Sequence, residues 1–132
     1  MSEIVAAYWQ AMNGNDWAAV AARFLAPDFT CIWPQSAEII CGRDDFVRVN
    51  AGFPGQGGWR FEIVSMIADG DRCASDCRIT QPDLEITARA VTFHEIGSAG
   101  LIQRQTEFWP DPFPVPEWRR GLLATDPERA RF

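Results

Sequence analysis

The sequence predicts an α+β domain in which helices come first and a strongly curved antiparallel sheet follows. Apolar residues recur at helical spacing near the start of the chain, and again after a short break. From residue 59 onward the apolar residues fall at every second position, which is typical of half-buried strands. Helices followed by a run of consecutive strands are characteristic of the α+β class, so we expect that class here.

Two neighbouring helices are predicted at the start of the chain. Asn13-Gly14 ends the first helix because both residues tolerate the left-handed conformation of a helix C-terminus. Asn15 or Asp16 then caps the second helix, which stops before Pro27. The first helix is predicted from five apolar side chains on one stripe: Ile4, Val5, Tyr8, Trp9 and Met12.

Strand patterns follow these helices. One strand is predicted at 29–33, then a loop, then a third short helix that opens at 43–45. Short turns join the later strands, which predicts an antiparallel meander. Its four strands are 59–66, 72–80, 85–96 and 101–109.

The chain is predicted to be one domain over residues 1–132, because no linker or internal repeat divides it. Residues 110–132 form a Pro-rich C-terminal extension in which prolines alternate at the start. That part must therefore be extended, and residues 117–120 can make a short helical turn after it.

Composition excludes several classes of function. The net charge is −6, and the 12 basic residues are all Arg, so Schiff-base chemistry and a lysine general base are excluded. No basic cluster predicts binding to nucleic acid or to a membrane. The first residues resemble neither a signal peptide nor a membrane span, so we expect a cytoplasmic protein. Four cysteines without a CxxC motif and a single histidine predict reduced thiols, no metal site and no cofactor.

Several local strings occur in an order shared with a known superfamily. They are YWQAMNGND at 8–16, WP at 33–34, GRDDF at 42–46, FPG at 53–55 and TEFWP at 106–110. Together they resemble the nuclear transport factor 2-like superfamily, and more narrowly its SnoaL-like branch, which includes polyketide cyclases. The resemblance covers residue 3 to about residue 120.

The resemblance implies a cone-shaped α+β barrel, in which a strongly bent sheet wraps the helices and leaves an open pocket. It also implies a homodimer formed through the outer face of the sheet. By strand alternation that outer face carries Val91, Phe93, Ile102 and Phe108.

Strand pairing predicts which side chains share the pocket face. With a four-residue turn at 97–100, paired positions sum to 197: Thr92 with Gln105, His94 with Gln103, and Ala90 with Glu107. The face so defined carries Thr92, His94, Gln103, Gln105, Glu107 and Trp109. Periodicity does not decide which face is concave, but the resemblance places this one inside.

The resemblance argues against one reaction. It implies that ketosteroid isomerases have a carboxylate base at the position of Trp33 and a protonated carboxyl at that of Thr92. It also implies a tyrosine at the position of Tyr8, which is the one match in this chain. That mechanism would lack its base and half of its oxyanion hole.

Three residues are candidate catalytic groups: Glu107, His94 and Tyr8. In a pocket, the Glu107 carboxyl would lose hydration and its pKa would rise, which suits a general acid or base. An ion pair or a structural hydrogen bond is the alternative for Glu107. His94 is the only histidine, with a half-exposed hydrogen-bonding role as its alternative. The predicted pairing puts His94 about 13 Å from Glu107, which excludes a dyad.

Five further residues are candidate ligand contacts: Trp9, Trp33, Thr92, Gln105 and Trp109. Aromatic rings here could stack on a flat ligand or simply form the core. We therefore expect a SnoaL-like pocket protein that binds a small apolar or aromatic carbonyl compound. If it is catalytic, Glu107 would move a proton while Tyr8 or His94 donates to the carbonyl oxygen. The alternative is a non-catalytic ligand-binding or interaction module.

Overall fold

Three helices and six strands make up the computed structural model, which describes residues 2–55 and 57–132 and only the backbone of Ser2. The helices are α1 (Ser2–Met12), α2 (Trp17–Phe24) and α3 (Gly42–Ala51). The strands are β1 (Leu25–Trp33), β2 (Glu38–Cys41), β3 (Arg60–Asp69), β4 (Arg72–Gln81), β5 (Ile86–Ile96) and β6 (Ile102–Phe108). The predicted α+β class is confirmed. No helix in the described part of the chain has the length and hydrophobicity needed to cross a membrane.

Two asparagines tie the link between α1 and α2 to the start of β3. The Asn13 side chain accepts from the Phe61 N–H at 2.8 Å and donates to the Phe61 carbonyl at 3.2 Å. Asn15, at a φ of 53°, bonds the backbone of Trp59 in the same way, at 3.0 and 2.8 Å. Asp16 caps α2. The asparagines therefore fix Trp59 and Phe61 beside the helices.

The six strands form one sheet in the order β2-β1-β6-β5-β4-β3. Strands β3 to β6 make the antiparallel meander that the sequence predicts. Strand β1 joins β6 in parallel, so the sheet is mixed rather than wholly antiparallel. A parallel neighbour is possible because α3 and the meander provide a long connection between the two strands.

Strand β2 lies in the segment after residue 33, where the sequence predicted a loop. Strand β2 has only four residues and buries only Ile40. Such a segment is too short to show a period of two. In the structure it pairs antiparallel with β1 and forms an edge of the sheet.

The predicted register of β5 and β6 is wrong by two residues. Thr92 pairs with Glu107 and His94 pairs with Gln105, so paired positions sum to 199 rather than 197. The turn has three residues instead of four, since the Gly97 N–H donates to the Leu101 carbonyl, and this shifts the register by one residue. A bulge at the Glu95/Ile96 step contributes the other. An even shift keeps Thr92, His94, Gln105 and Glu107 on the predicted common face.

Two residues near the bulge lie on the face opposite to the one predicted. Ile102 was expected on the outer face but is fully buried. Gln103 was expected in the pocket but is only partly buried, and its amide donates to Asp28 at 2.7 Å. The bulge explains both differences, because it interrupts the alternation between Ile102 and Gln105.

The core fills only one end of the concave face. Val5, Leu25, Phe29 and Ile102 are fully buried there. The other end comprises the starts of β3 and β5 and the ends of β4 and β6. Less of its surface is covered, and this end provides the candidate site.

Residues 110–132 do not enter the concave face. The backbone is irregular as far as the predicted helical turn, which the structure confirms as a 3-10 turn at Glu117–Arg119. The Phe132 carbonyl accepts from Arg78 at 3.1 Å and from Arg89 at 2.6 Å. These arginines are paired on neighbouring strands of the outer face. The extension therefore leaves the pocket unplugged.

The outer face of the sheet carries an exposed apolar row. Ile67, Ala74 and Phe93 are successive partners across β3, β4 and β5. Ile67 is 73% and Phe93 is 53% exposed, and Phe93 meets Phe108 edge to face at 6.5 Å. Exposed apolar patches often mark interfaces, so the homodimer stays a prediction on this face.

We predict that light scattering at high micromolar concentration gives the mass of a dimer, and that Phe93→Arg gives a monomer. The physical reason is the cost of burying an unpaired charge in an apolar interface. Leu84→Arg, at an apolar residue that is 43% exposed in the turn before β5, is the matched control and should remain a dimer. A monomeric wild type would contradict the prediction.

Candidate functional site

The open end of the concave face encloses a cavity of about 230 Å³. Phe53, Pro54 and Ile86 are lining residues that are also exposed, so they mark its mouth. Nine of the nineteen described lining residues are aromatic: Tyr8, Trp9, Trp17, Trp33, Phe46, Phe53, Trp59, Phe61 and Trp109. Few polar side chains lie in the wall, among them Asn50, Gln105 and Glu107, so these are the groups that could bind a polar part of a ligand.

The pairing of three strands assembles the polar part of the wall. The parallel register of β1 and β6 places Cys31 beside Gln105, and two residues further along Trp33 and Glu107 face the same way. On the other side of β6, Thr92 of β5 is the direct partner of Glu107. Neighbours on β1, β6 and β5 therefore surround one carboxyl group.

Glu107 is buried and accepts three hydrogen bonds. The indole N–H groups of Trp33 and Trp109 both donate to Oε1, at 3.0 and 3.1 Å. The Thr92 hydroxyl donates to Oε2 at 2.7 Å. Burial raises the pKa of Glu107 above its ordinary value of 4.5, while the three donors act in the opposite direction. The upward direction is the predicted one.

No ion pair in the described part of the chain involves Glu107. Arg89 and Arg104 lie on the opposite face of the sheet by strand alternation, and they pair there with Asp76 and Glu95. Any negative charge on Glu107 is therefore offset only by neutral donors.

A chain of buried polar side chains runs behind the cavity from Tyr8 to Trp9. Gln105 lies close enough to the Tyr8 hydroxyl to affect the pKa of Tyr8, and its amide donates to His94 Nδ1 at 3.1 Å. In a neutral ring His94 Nε2 then carries the proton and donates to Ser75 Oγ at 2.8 Å. Ser75 also accepts from the Trp9 indole at 3.0 Å. This chain fixes the orientation of Tyr8 and Trp9 in the cavity wall.

The structure places His94 elsewhere than expected. It is 1% exposed rather than half-exposed, and the register shift gives it Gln105 as its partner on β6. The rings of Tyr8 and Trp9 cover it edge to face, each at 6.3 Å. Burial lowers the pKa of His94 from 6.5 to about 4, so the ring is neutral near pH 7.

Six of the eight candidate residues line the cavity: Tyr8, Trp9, Trp33, Gln105, Glu107 and Trp109. Thr92 and His94 do not. Thr92 contacts Glu107 from behind, and His94 reaches the cavity only through its neighbours. The roles of all eight in catalysis or binding remain predictions.

Sequence reasoning missed the contribution of α3 and β3 to the wall. Asn50 comes from α3. Trp59 directly precedes β3, and Phe61 is the second residue of that strand. Trp59 and Phe61 are two residues apart, so they share a face. Extending the parity argument across the β3–β4 hairpin would have found them. Asn50 had no comparable signal.

The cavity wall also holds a thiol. Burial raises the pKa of the Cys31 thiol well above its ordinary value, so the thiolate needed for nucleophilic chemistry is strongly disfavoured. Among residues 2–55 and 57–132, no three His, Cys, Asp or Glu side chains are grouped so as to hold a metal ion.

A pH titration followed by NMR tests the environment of His94. Because the chain has one histidine, its ring C–H signals need no assignment by mutagenesis. We expect no shift between pH 8 and pH 5.5 and a midpoint near pH 4, since burial disfavours the charged ring. With the folded pKa below the unfolded one, stability from the neutral ring is present above about pH 6.5 and is lost as pH falls. A midpoint near 6.5 would contradict the buried placement.

Comparisons with known proteins agree with this architecture. A family model described as SnoaL-like domain matches residues 5–105. A protein from Kribbella flavida, provisionally named a ketosteroid isomerase, is 33% identical, with a TM-score of 0.81 over 95% of this chain and 88% of that one. An NTF2-like protein of unknown function from Burkholderia xenovorans is 26% identical, with a TM-score of 0.75 over 95% and 94% of the two chains.

A further structure matches in fold at lower identity. A protein from a Jannaschia species, provisionally named a SnoaL-like polyketide cyclase, is 20% identical, with a TM-score of 0.57 over 71% and 72% of the two chains. No protein with a curated description matches the sequence. The family model spans most of the chain, including all of the cavity except the part contributed by Glu107 and Trp109. The chain therefore belongs to the SnoaL-like domain family.

Proposed function

We propose that the protein binds a flat, apolar carbonyl compound in the aromatic cavity and transfers a proton on it. Glu107 acts as the general acid or base, and Tyr8 donates a hydrogen bond to the carbonyl oxygen. The observation that carries the proposal is a buried carboxyl without a cationic partner in the wall of an apolar cavity.

The electrostatics of Glu107 and Tyr8 support a pair of acidic groups facing one ligand. Burial raises the pKa of Tyr8 well above 10, and the negative charge of Glu107 raises it further. The Tyr8 hydroxyl therefore stays protonated and can donate, which is what a developing oxyanion needs. Glu107, with its raised pKa, is closer to the range that suits proton transfer near neutrality.

The cavity volume limits the size of the ligand. An apolar cavity of about 150 Å³ accommodates benzene, so about 230 Å³ suits a compound of one or two rings. Larger compounds would have to protrude through the mouth at Phe53, Pro54 and Ile86. We therefore propose a smaller ligand than a four-ring steroid.

The superfamily resemblance implies that ketosteroid isomerases carry carboxyl groups at two other positions, and this chain has its carboxyl group at Glu107 instead. Those positions hold Trp33 and Thr92, and both side chains donate to Glu107. The carboxyl group therefore lies on a third position, Glu107, which is in direct contact with the other two. This supports proton transfer in general, and it leaves the ketosteroid isomerase arrangement without support.

His94 has an indirect part in this proposal. Gln105 lies between His94 and Tyr8, so the imidazole can hold Gln105 and Tyr8 in place without touching a ligand. His94 is then a positioning residue, and Tyr8 is the donor.

Exchange of ligand hydrogen for deuterium tests proton transfer without knowledge of the product. In D2O, the wild type should accelerate exchange at the carbon next to the carbonyl of 2-tetralone, a two-ring ketone. Glu107→Gln should slow this exchange by about 10²–10⁴-fold, because it removes the acid or base. Tyr8→Phe should slow it by about 10²–10³-fold through loss of the oxyanion donor. Trp118→Phe, outside the cavity, is the control. Equal rates for wild type and Glu107→Gln would refute the proposal.

The stability of Glu107 variants separates a functional carboxyl from a purely structural one. Gln can still accept both indole N–H groups and can donate to Thr92, so Glu107→Gln should leave the free energy of unfolding unchanged or raise it at pH 7. Glu107→Leu should lower it by about 1–3 kcal/mol, because the donors lose their acceptor. A clear loss of stability in Glu107→Gln would contradict the acid/base role.

The pH dependence of that comparison has a definite sign. The folded pKa of Glu107 is raised, so its stabilising contribution is complete below about 4.5 and is lost as pH rises through the folded pKa. The stability of Glu107→Gln relative to wild type should therefore increase with pH and then level off. Chemical denaturation at several pH values measures it.

A further inference from the structure

The wall of the cavity combines aromatic rings with one acidic side chain, that of Glu107. Five of the six tryptophans of the chain line it, together with Tyr8 and three phenylalanines. Among the described lining residues, Glu107 is the only carboxylic acid and none is Arg, Lys or His. The wall therefore presents negative electrostatic potential from the ring faces and from the carboxyl, with no positive side chain to balance it.

The rings near the mouth are inclined to one another rather than stacked. Trp33 and Trp109 meet at 76° with centroids 6.1 Å apart. Phe53 meets Trp109 at 42° and 6.4 Å, and meets Trp59 at 62° and 5.9 Å. All four rings line the same cavity, so ring surfaces border it from more than one side, as the rings of an aromatic cage do around an ammonium group.

The hydrogen bonds of Glu107 orient two of these rings. Because the indole N–H groups of Trp33 and Trp109 are both bonded to Oε1, their positive edges are turned toward the carboxyl. Glu107 Oε2 accepts one hydrogen bond, from Thr92, so a carboxylate lone pair remains for a ligand donor. The same side chain thus supplies a counter-charge and sets the ring orientation around it.

We propose that this cavity is a binding site for a small hydrophobic organic cation, a protonated or quaternary amine attached to one or two rings. The cationic group of the ligand lies against Trp33, Trp109 and Phe53, with Glu107 as its counter-ion. The rings of the ligand fill the deeper, apolar part of the cavity. Anions of the same size are rejected, because no lining side chain can pair with them.

The proposal rests on the proposed function only in taking this cavity as the ligand site, and it does not require proton transfer. It narrows the ligand by charge, so a carbonyl compound that also carries an amine satisfies both. The two can fail separately, because charge selectivity is measured by binding and proton transfer by exchange.

Three probes of similar shape and different charge test it: phenyltrimethylammonium, its neutral isostere tert-butylbenzene, and the anion benzenesulfonate. Quenching of tryptophan emission in a Trp118→Phe background reports binding, because the remaining five tryptophans line the cavity. The cation should bind at least about tenfold more tightly than the neutral isostere, from desolvated cation–π contacts and the counter-ion. Benzenesulfonate should not bind.

Glu107→Gln is the matched variant, since it keeps the size and hydrogen-bonding capacity of the side chain. It should reduce the preference for the cation by about tenfold and change the affinity for tert-butylbenzene by less than about twofold. An unchanged ratio of the two affinities overturns the proposal. If the wild type binds tert-butylbenzene as tightly as phenyltrimethylammonium, or more tightly, the proposal is also overturned, but the proposed function is not. Binding of none of the probes overturns both.

The wild type alone gives an independent measurement if the variant fails to fold. Over the measured range of pH 5 to pH 8, affinity for the cation should increase with pH, because the raised pKa of Glu107 places its ionisation above the ordinary value of 4.5. Affinity for tert-butylbenzene should stay constant. The other titratable groups around Glu107 do not change charge in that range: Tyr8 and Cys31 have raised pKa values, burial raises the pKa of Cys77 to about 12, and burial lowers that of His94 to about 4. The same pH dependence for both probes overturns the proposal.

Discussion

The burial of one carboxyl group, that of Glu107, links the arrangement of the strands to the cavity. A carboxyl removed from water needs donors, and this one takes them from the last residue of β1, from β5 and from the end of β6. Trp109 reaches Glu107 along the same segment, but Trp33 and Thr92 reach it only when β1 lies parallel to β6 and Thr92 stands opposite Glu107. Another register would leave the carboxyl or the indoles unpaired, so the site and the register stabilise each other.

Strand parity predicted the face of these residues more reliably than their partners. A side chain changes face with every one-residue slip, so the apolar pattern specifies the face strongly. A shift of two residues leaves that pattern intact, and the turn and bulge that caused it involve Gly97 and the Glu95/Ile96 step. Nothing in the alternation around Thr92 and Glu107 records those features. The same bulge explains why Ile102 is buried and Gln103 is not.

The curvature of the sheet is the part of the site that the sequence did not specify. Family resemblance and strand parity were enough to place Trp33 and Glu107, which lie on neighbouring strands, in one pocket, and the resemblance added Tyr8 of α1. The far wall depends on how strongly the sheet bends toward α1 and α3. That bend brings Phe61 over Trp9, with ring centroids 5.9 Å apart, and buries His94 beneath two rings. Bending is a tertiary effect with no short sequence signal, as the missed strand β2 also illustrates.

The structural and functional interpretations of Glu107 are compatible. Large aromatic side chains tend to close a cavity, because packed rings regain dispersion contacts that an open space forfeits. Here the indoles of Trp33 and Trp109 are held by their N–H groups on one oxygen, and the two rings meet edge to face at 76° in the cavity wall. An apolar residue at position 107 would leave the two indole N–H groups and the Thr92 hydroxyl without this acceptor. The buried carboxyl therefore sets the positions of two aromatic rings in the cavity wall and is at the same time an ionisable group in that wall.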